Sequence, residues 1–229
     1  MPRRSDEQTA AMRERIAVAA REELAATGAS GLSMRRVAAR VGVTVGALYR
    51  YYADRDQLLT GLIIEAYLAI GQAAESGERS VGAPAERWLA IFRAVRDWAK
   101  AHPHQFDLIY GSPVVGYIAP ETTIGPATRI LAPLIRTALT APGRVDPSPV
   151  TDAGLASDLD RVRGWLSDQG YEVDPGTLPD SVILGVLRAW TELVGTIGHE
   201  LHGHFVGSIE HTDDYLDEIA RRTGQAIGL

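Results

Sequence analysis

Gly31-Leu-Ser-Met-Arg-Arg-Val-Ala-Ala-Arg-Val-Gly-Val-Thr-Val-Gly-Ala-Leu-Tyr-Arg-Tyr-Tyr52 is the stretch whose reading decides the fold of this chain. It reads as two short helices joined by a glycine turn. Ser33 stands before Met34, Val37 and Ala38, so its hydroxyl is placed to cap a first helix whose apolar side those three residues form. Gly42 follows Val41 where the chain must turn, and glycine takes positive φ without steric cost. Thr44 is placed to cap a second helix over 45–51, with Leu48 inward and Thr44, Gly46, Tyr49 and Arg50 turned to solvent. This is the physical form of a helix-turn-helix, whose second helix enters the major groove of duplex DNA. A small residue such as Gly46 near the start of that helix lets the backbone approach the duplex, while hydroxyl and guanidinium groups reach phosphates or base edges. An ordinary helical hairpin shares the apolar pattern but does not require the exposed Arg and Tyr surface.

The formal net charge of −6 argues against a nucleic-acid binder when taken alone. Its distribution along the chain points the other way. Residues 1–60 hold 10 Arg against 7 Asp and Glu, a balance of +3, and the remainder carries −9. Salt screens over about 8–10 Å, so a distant acidic body does not cancel a local basic surface. With 229 residues the chain is long enough for one large or two small domains and a real core. It has no cysteine, which excludes disulfides and thiol chemistry. The start, Met-Pro-Arg-Arg-Ser-Asp-Glu, lacks the apolar stretch of a secretory signal, and no long apolar run suggests a membrane partner. A reducing cytoplasm is the expected compartment.

Helical spacing organises the rest. Residues 9–27 read as a bracing helix through Met12, Ile16, Ala19, Ala20 and Leu24, closed by Gly28. Ahead of it Arg3 and Arg4 sit in a polar tail, read as a disordered terminus or an arm touching DNA. Asp54 caps a long helix running to 74, and the stretch 75–84 is expected to break it. A helix over 85–101 carries Trp88, Ile91, Phe92, Val95 and Trp98 on one face. A short helix follows over 105–110, then a Gly- and Pro-rich ordered loop over 111–120. Helical spacing resumes over 124–140, residues 141–153 read as flexible, and 155–169 as a moderately polar helix. Residues 180–203 form the longest apolar helix, with one stripe through Val182, Val186, Trp190, Leu193, Ile197 and Leu201 and a second through Ile183, Leu187 and Val194. A helix apolar on two adjacent faces usually satisfies two contacts, the candidates being its own domain core and a second subunit, although both stripes can also pack inside one subunit. A final helix spans 213–227. No strand-like alternation persists, so the fold class is all-α.

Ile16-Ala-Val-Ala-Ala-Arg-Glu-Glu-Leu-Ala-Ala-Thr-Gly28, Leu32-Ser-Met-Arg-Arg-Val-Ala-Ala-Arg-Val-Gly-Val43, Gly46-Ala-Leu-Tyr-Arg-Tyr-Tyr52 and Asp54-Arg-Asp-Gln-Leu-Leu59 together resemble the DNA-binding domain of the TetR family of bacterial transcription regulators. In the second half, Phe106-Asp-Leu-Ile-Tyr-Gly-Ser-Pro-Val-Val-Gly-Tyr-Ile-Ala-Pro120 and Ala189-Trp-Thr-Glu-Leu-Val-Gly195 resemble the C-terminal domain called WHG, named for a Trp, a His and a Gly in its penultimate helix. Trp190 and Gly195 stand at matching positions. Val194 stands where the histidine is expected, so no role of that histidine carries over.

The resemblance implies an N-terminal three-helix helix-turn-helix domain over 9–55 and a C-terminal helical bundle over 56–229 for ligand binding and dimerisation. It implies a homodimer through the last two helices, with Gly185, Gly195 and Gly198 allowing close helix approach, and a palindromic operator as partner. Carried over position by position, the DNA-facing set is Ser33, Arg35, Thr44, Val45, Gly46, Tyr49, Arg50, Tyr51 and Arg55. Thr44, Tyr49 and Arg55 are assigned to phosphates, Arg35 and Arg50 to base edges. It further implies a small apolar effector lined by Trp88, Phe92, Phe106, Tyr110, Tyr117, Trp165, Trp190 and His199, whose binding relieves repression. No cofactor is implied.

The densest ionisable cluster, His199-Glu-Leu-His-Gly-His204, raises a different class: a metal-responsive regulator or a metal-dependent helical enzyme. It lacks the spacing of the zinc-protease motif, but His199 and His202, three apart, can share a helix face. No phosphate-cradling loop, nucleophile elbow or paired-carboxylate arrangement accompanies it, and no enzymatic activity is expected.

Overall fold

The computed structural model describes residues 4–79, 82–141, 150–168 and 176–229. Every regular element among them is helical: α1 (Arg4–Gly31), α2 (Met34–Val41), α3 (Val45–Leu48), α4 (Arg55–Arg79), α5 (Pro84–Ala101), α6 (Pro103–Tyr110), a short 3-10 turn (Glu121–Thr123), α7 (Ile124–Thr128), α8 (Leu131–Leu139), α9 (Ala153–Asp168), α10 (Asp180–Leu201) and α11 (Thr212–Ala226). They form two compact units. The first joins the described residues up to Ala69 with Ala101–Ala127, and the second joins those of Ile70–Lys100 with Thr128–Leu229.

The first unit is built around one apolar cluster. Ile16, Ala19 and Ala20 of α1 meet Met34, Val37, Ala38 and Val41 of α2, Leu48 of α3 and Leu58, Leu59, Leu62 and Ile63 of α4. Leu108 and Ile109 of α6 and Val114 and Tyr117 of the following loop pack against this cluster. Residues beyond 9–55 therefore complete the packing of the short helices. The 111–120 segment is the expected ordered loop, closed by the Tyr117 amide on the Val114 carbonyl at 3.1 Å. The Tyr117 hydroxyl lies 2.8 Å from Thr60 Oγ1 of α4.

In the second unit α10 is central and packs on α8, α9 and α11. Its inward residues Val182, Ile183, Val186, Ala189, Leu193 and Ile197 are buried. Guanidinium–carboxylate pairs fasten the surrounding helices. Arg96 of α5 holds Glu200 of α10 through two bonds of 2.5 and 2.6 Å, Arg129 holds Glu75 at 2.7 and 3.0 Å, and Arg163 of α9 holds Asp180 at 2.5 Å. The bond from Arg129 lowers the Glu75 pKa, and those from Arg163 and the Val150 amide lower that of Asp180. By length and hydropathy α4 and α10 could each cross a membrane. Here each turns buried apolar residues into a helical core, Leu58, Leu62 and Ile70 from α4 and Val186 and Leu193 from α10.

Several helix limits differ from expectation for identifiable reasons. α1 begins at Arg4, so that residue opens a helix rather than a tail, while Arg3 lies outside the described residues. Gly28 interrupts α1 at φ +68°, where the closing glycine was expected. α4 does not stop at 74. Its polar continuation is put to use, Glu75 on Arg129 and Glu78 on Arg136, and Gly77 is the seat for α5: a Cβ there would lie 2.5 Å from the Ala90 carbonyl oxygen. The expected helix over 124–140 divides at Arg129–Ile130. Pro133 explains the division, because its ring clashes with the carbonyl of the fourth residue before it, Arg129. Of the expected flexible segment, 142–149 lies outside the described residues, as does Gln169, the last residue of the helix expected over 155–169.

An alanine at Gly77 tests this close approach. Helix propensity alone favours Gly→Ala by about 1 kcal/mol, but overpacking against backbone costs about 1–3 kcal/mol. Gly77→Ala is expected to lower the melting temperature rather than raise it, measured by circular dichroism.

Candidate nucleic-acid interface

The reading edge is built locally. α2 ends at Gly42 with φ +77°, and the amides of Gly42 and Val43 return to the carbonyls of Ala39 and Ala38 at 3.2 and 3.0 Å. That pairing satisfies carbonyls the helix leaves open and aims the chain into α3. Thr44 Oγ1 accepts from the Ala47 amide at 3.1 Å, so the second expected cap is made. The first is not. Ser33 occupies the position before α2 with extended backbone, but its hydroxyl makes no capping bond. α3 is shorter than the expected 45–51, with Tyr49 to Tyr51 in a turn after Leu48.

Leu48 is wholly buried, and that fixes the roll of α3. With it inward, Thr44, Gly46, Tyr49 and Arg50 are exposed, Tyr49 keeping 47% of its surface. A methyl group at Gly46 would meet no protein atom within 4 Å. Arg35 on α2 is exposed too, and neither it nor Arg50 has an ion-pair or hydrogen-bond partner among the described residues. Ser33, Val45 and Tyr51 are partly buried, the last two packed against the core. Arg55 turns inward: its Nε donates to the Leu32 carbonyl at 3.0 Å and its Nη2 to those of Ala29 and Ser30 at 2.8 and 3.3 Å. Those donors fasten the start of α4 to the end of α1.

Sequence reasoning missed a set of residues behind this edge. Glu23 of α1 is buried and accepts from Arg36 Nε on one oxygen and from Arg40 Nε at 3.2 Å on the other. Arg15 Nη2 donates to the Val41 carbonyl at 2.9 Å, at the far end of α2. The signal existed: Glu23 continues the inward phase of Ile16 and Ala20, where an acid demands a partner.

Residues 16–62 match the family described as bacterial regulatory proteins of the tetR family, and residues 88–223 match that described as the tetracyclin repressor-like C-terminal domain. The chain belongs to the TetR family. This TetR-family chain is 33% identical over 193 residues to Rv1816, an HTH-type transcriptional regulator of Mycobacterium tuberculosis, covering 81% of the chain and 78% of that protein. Mb1846 of Mycobacterium bovis, described in the same terms, matches to the same extent. The crystal structure of SCO4313, a protein described as regulatory, superposes with a TM-score of 0.77 at 28% identity, over 97% of this chain and 98% of that one. A TetR-family regulator of Marinobacter aquaeolei VT8 shares the fold at a TM-score of 0.61 and 18% identity, covering 97% of each chain. The chain is therefore a TetR-family transcription regulator with a DNA-binding helix-turn-helix, and such regulators are not enzymes.

In this TetR-family fold the residues expected to line an effector site are divided between the units. Phe106, Tyr110 and Tyr117 belong to the first, and Trp88, Phe92, Trp165, Trp190 and His199 to the second. Phe106 is buried with its ring centroid 5.3 Å from that of Tyr110. Trp88 and Phe92 are buried 5.7 Å apart, and the Trp88 indole donates to Thr223 Oγ1 at 3.3 Å. Trp165 and Trp190 are partly exposed. A cleft of about 340 Å³ in the second unit touches Trp88, with Leu89, Ala220, Gly224 and Leu229 among its other walls. His199 is exposed, its ring 5.3 Å from that of His204 and 5.8 Å from that of Phe205, and its Nδ1 lies 2.8 Å from the Gly195 carbonyl. No group of three His, Cys, Asp or Glu able to hold a metal occurs among the described residues, so the metal-dependent alternative has no support. Of the expected contact glycines, Gly185 is spent inside the subunit, where a Cβ would fall on Ile227, whereas Gly195 is exposed and open.

Two outcomes follow from the reading edge. Gly46→Ala should leave the folding free energy, measured by thermal melts, unchanged within about 1 kcal/mol while weakening duplex binding, because the only space the methyl fills lies outside the protein. Glu23 gives a pH dependence. The Arg36 hydrogen bond, with help from Arg40, lowers its pKa below the ordinary 4.5 despite burial. A lowered folded pKa contributes stability that is fully present above about pH 4.5 and is lost as pH falls through the folded value. The stability gap between the native chain and Glu23→Gln should therefore narrow below that pH in thermal melts.

Proposed function

We propose that this regulator binds a palindromic operator as a homodimer in the cytoplasm and represses transcription until a small apolar effector releases it. The observation that carries the reading is the outward set Thr44, Gly46, Tyr49 and Arg50, held in phase by Leu48, beside the unpaired Arg35. One such edge reads few base pairs. Two of them about 34–36 Å apart, or a multiple of that, match successive turns of a duplex. α10 supports the pairing, because Leu184, Leu187 and Val194 are only partly covered within the chain and Gly195 presents bare backbone. The effector belongs in the second unit, where Trp88 stands between the apolar interior and the cleft beside α11. α4 contributes residues to both units and is the covalent route from effector to reading edge. A coupling of about 1–3 kcal/mol along it would weaken operator affinity about 5- to 150-fold.

Operators selected from random duplexes and titrated by fluorescence anisotropy test this. Tyr49→Ala should weaken binding on every sequence alike. Arg35→Ala should cost about 1–3 kcal/mol on the selected operator and relax discrimination at one position per half-site. Sedimentation should find two copies per operator. Unchanged affinity and selectivity in both variants, or a single copy on a selected site, contradicts the proposal.

A further inference from the structure

We infer that Glu23 is a positioning residue that decides which arginines of α2 reach DNA, holding back Arg36 and Arg40 and leaving Arg35 as the guanidinium that helix offers to a duplex. The inference rests on the reading of α2 and α3 as the DNA-facing helices and deepens it.

α2 carries three arginines, and their bonding separates them. Arg36 and Arg40 are four residues apart and share one edge of the helix, the edge beside α1. Both meet the same buried carboxylate, Arg36 through Nε on Oε1 and Arg40 through Nε at 3.2 Å on Oε2. Each has a second tether: Arg36 Nη2 donates to the Gly31 carbonyl at 2.5 Å, and Arg40 Nη1 to Glu22 Oε2 at 3.5 Å. Arg35 lies about a hundred degrees around the helix and has no such partner. Burial is one-sided. Glu23 is 1% exposed, whereas the Arg36 and Arg40 side chains keep 53% and 39% of their surface. The carboxylate thus has no alternative in water, whereas with it neutral the two cations would keep only their exposed second tethers, which water and phosphate can replace.

That asymmetry bears on selectivity. A guanidinium that reaches phosphate adds affinity for every sequence alike and steepens the dependence of log K on log salt by about 0.9. Two cations held back keep non-specific binding down while Arg35 remains for a base edge. Glu23 therefore raises the ratio of operator to random binding without touching DNA.

The test uses the full chain, a selected operator and a scrambled duplex, titrated over a salt series. Glu23→Gln should steepen the slope on the scrambled duplex by about 0.9 to 1.8, one step per released cation, and reduce the operator-to-scrambled ratio. Adding Arg36→Gln and Arg40→Gln to that variant removes the released charges and should restore the native slope. The triple variant leaves no pair of neighbouring cations without a counter-charge at this place, so it reports even where Glu23→Gln alone does not fold. A triple variant with a shallower slope than the native chain overturns the inference, because Arg36 or Arg40 would then already contact phosphate. A folded Glu23→Gln with native slope and ratio overturns it too, as does a triple variant that stays steep. A native chain that binds neither duplex overturns the DNA reading itself.

Discussion

Burial of Leu48 is the contact on which the reading edge depends, because α3 cannot support itself. It has four residues, and isolated helices shorter than about 12–15 residues are marginal in water. The order it has comes from one side chain sunk in the cluster it shares with Val37, Ala38, Val41, Leu58 and Leu59, worth about 1.5–3 kcal/mol, and from the Thr44 cap at about 1 kcal/mol. Everything that faces outward inherits its direction from that inward residue. The Tyr49 ring and the Arg50 guanidinium point to solvent because Leu48 does not. The direction of the exposed edge is in this sense a property of the core, and on the proposed reading a substitution in that core would disturb DNA contact as surely as one on the edge itself.

The arginines show how little a charge count says about which groups face a duplex. The first sixty residues carry a balance of +3, yet Arg36, Arg40 and Arg55 are engaged by Glu23, Glu22 and four backbone carbonyls. Arg15 caps the end of α2. In the second unit the same residue type, with its planar fork, grips Glu75, Glu78, Asp180 and Glu200. A chain with one lysine and 22 arginines has only this kind of cation in quantity, and it serves as structural clamp more often than as surface charge.

The parts of the fold legible in the sequence are those where one residue type answers one local demand. Gly42 had to turn the chain, Thr44 had to meet an amide, and Asp54 accepts from the Gln57 amide at the head of α4. The helical phase of the long segments was equally plain. What escaped reading depends on partners far along the chain. Gly77 looks like a breaker until Ala90 lies against it, and Glu75 and Glu78 look like loop residues until Arg129 and Arg136 face them. Arg55 reads as a surface cation because nothing nearby announces the carbonyls of Ala29, Ser30 and Leu32. Aromatic residues give the weakest signal, since Trp88 and Phe106 satisfy the same burial whether they wall a cavity or fill a core.

The first unit is assembled from two stretches that are distant in the chain, and this affects how it is made. Leu108, Ile109, Val114 and Tyr117 pack on a cluster whose buried members all come from the stretch before Ala69. A ribosome adds about 5–20 residues each second, so the emerging head waits seconds for its cover. A gene fragment ending just past the motif would encode the bases' reader without its roof.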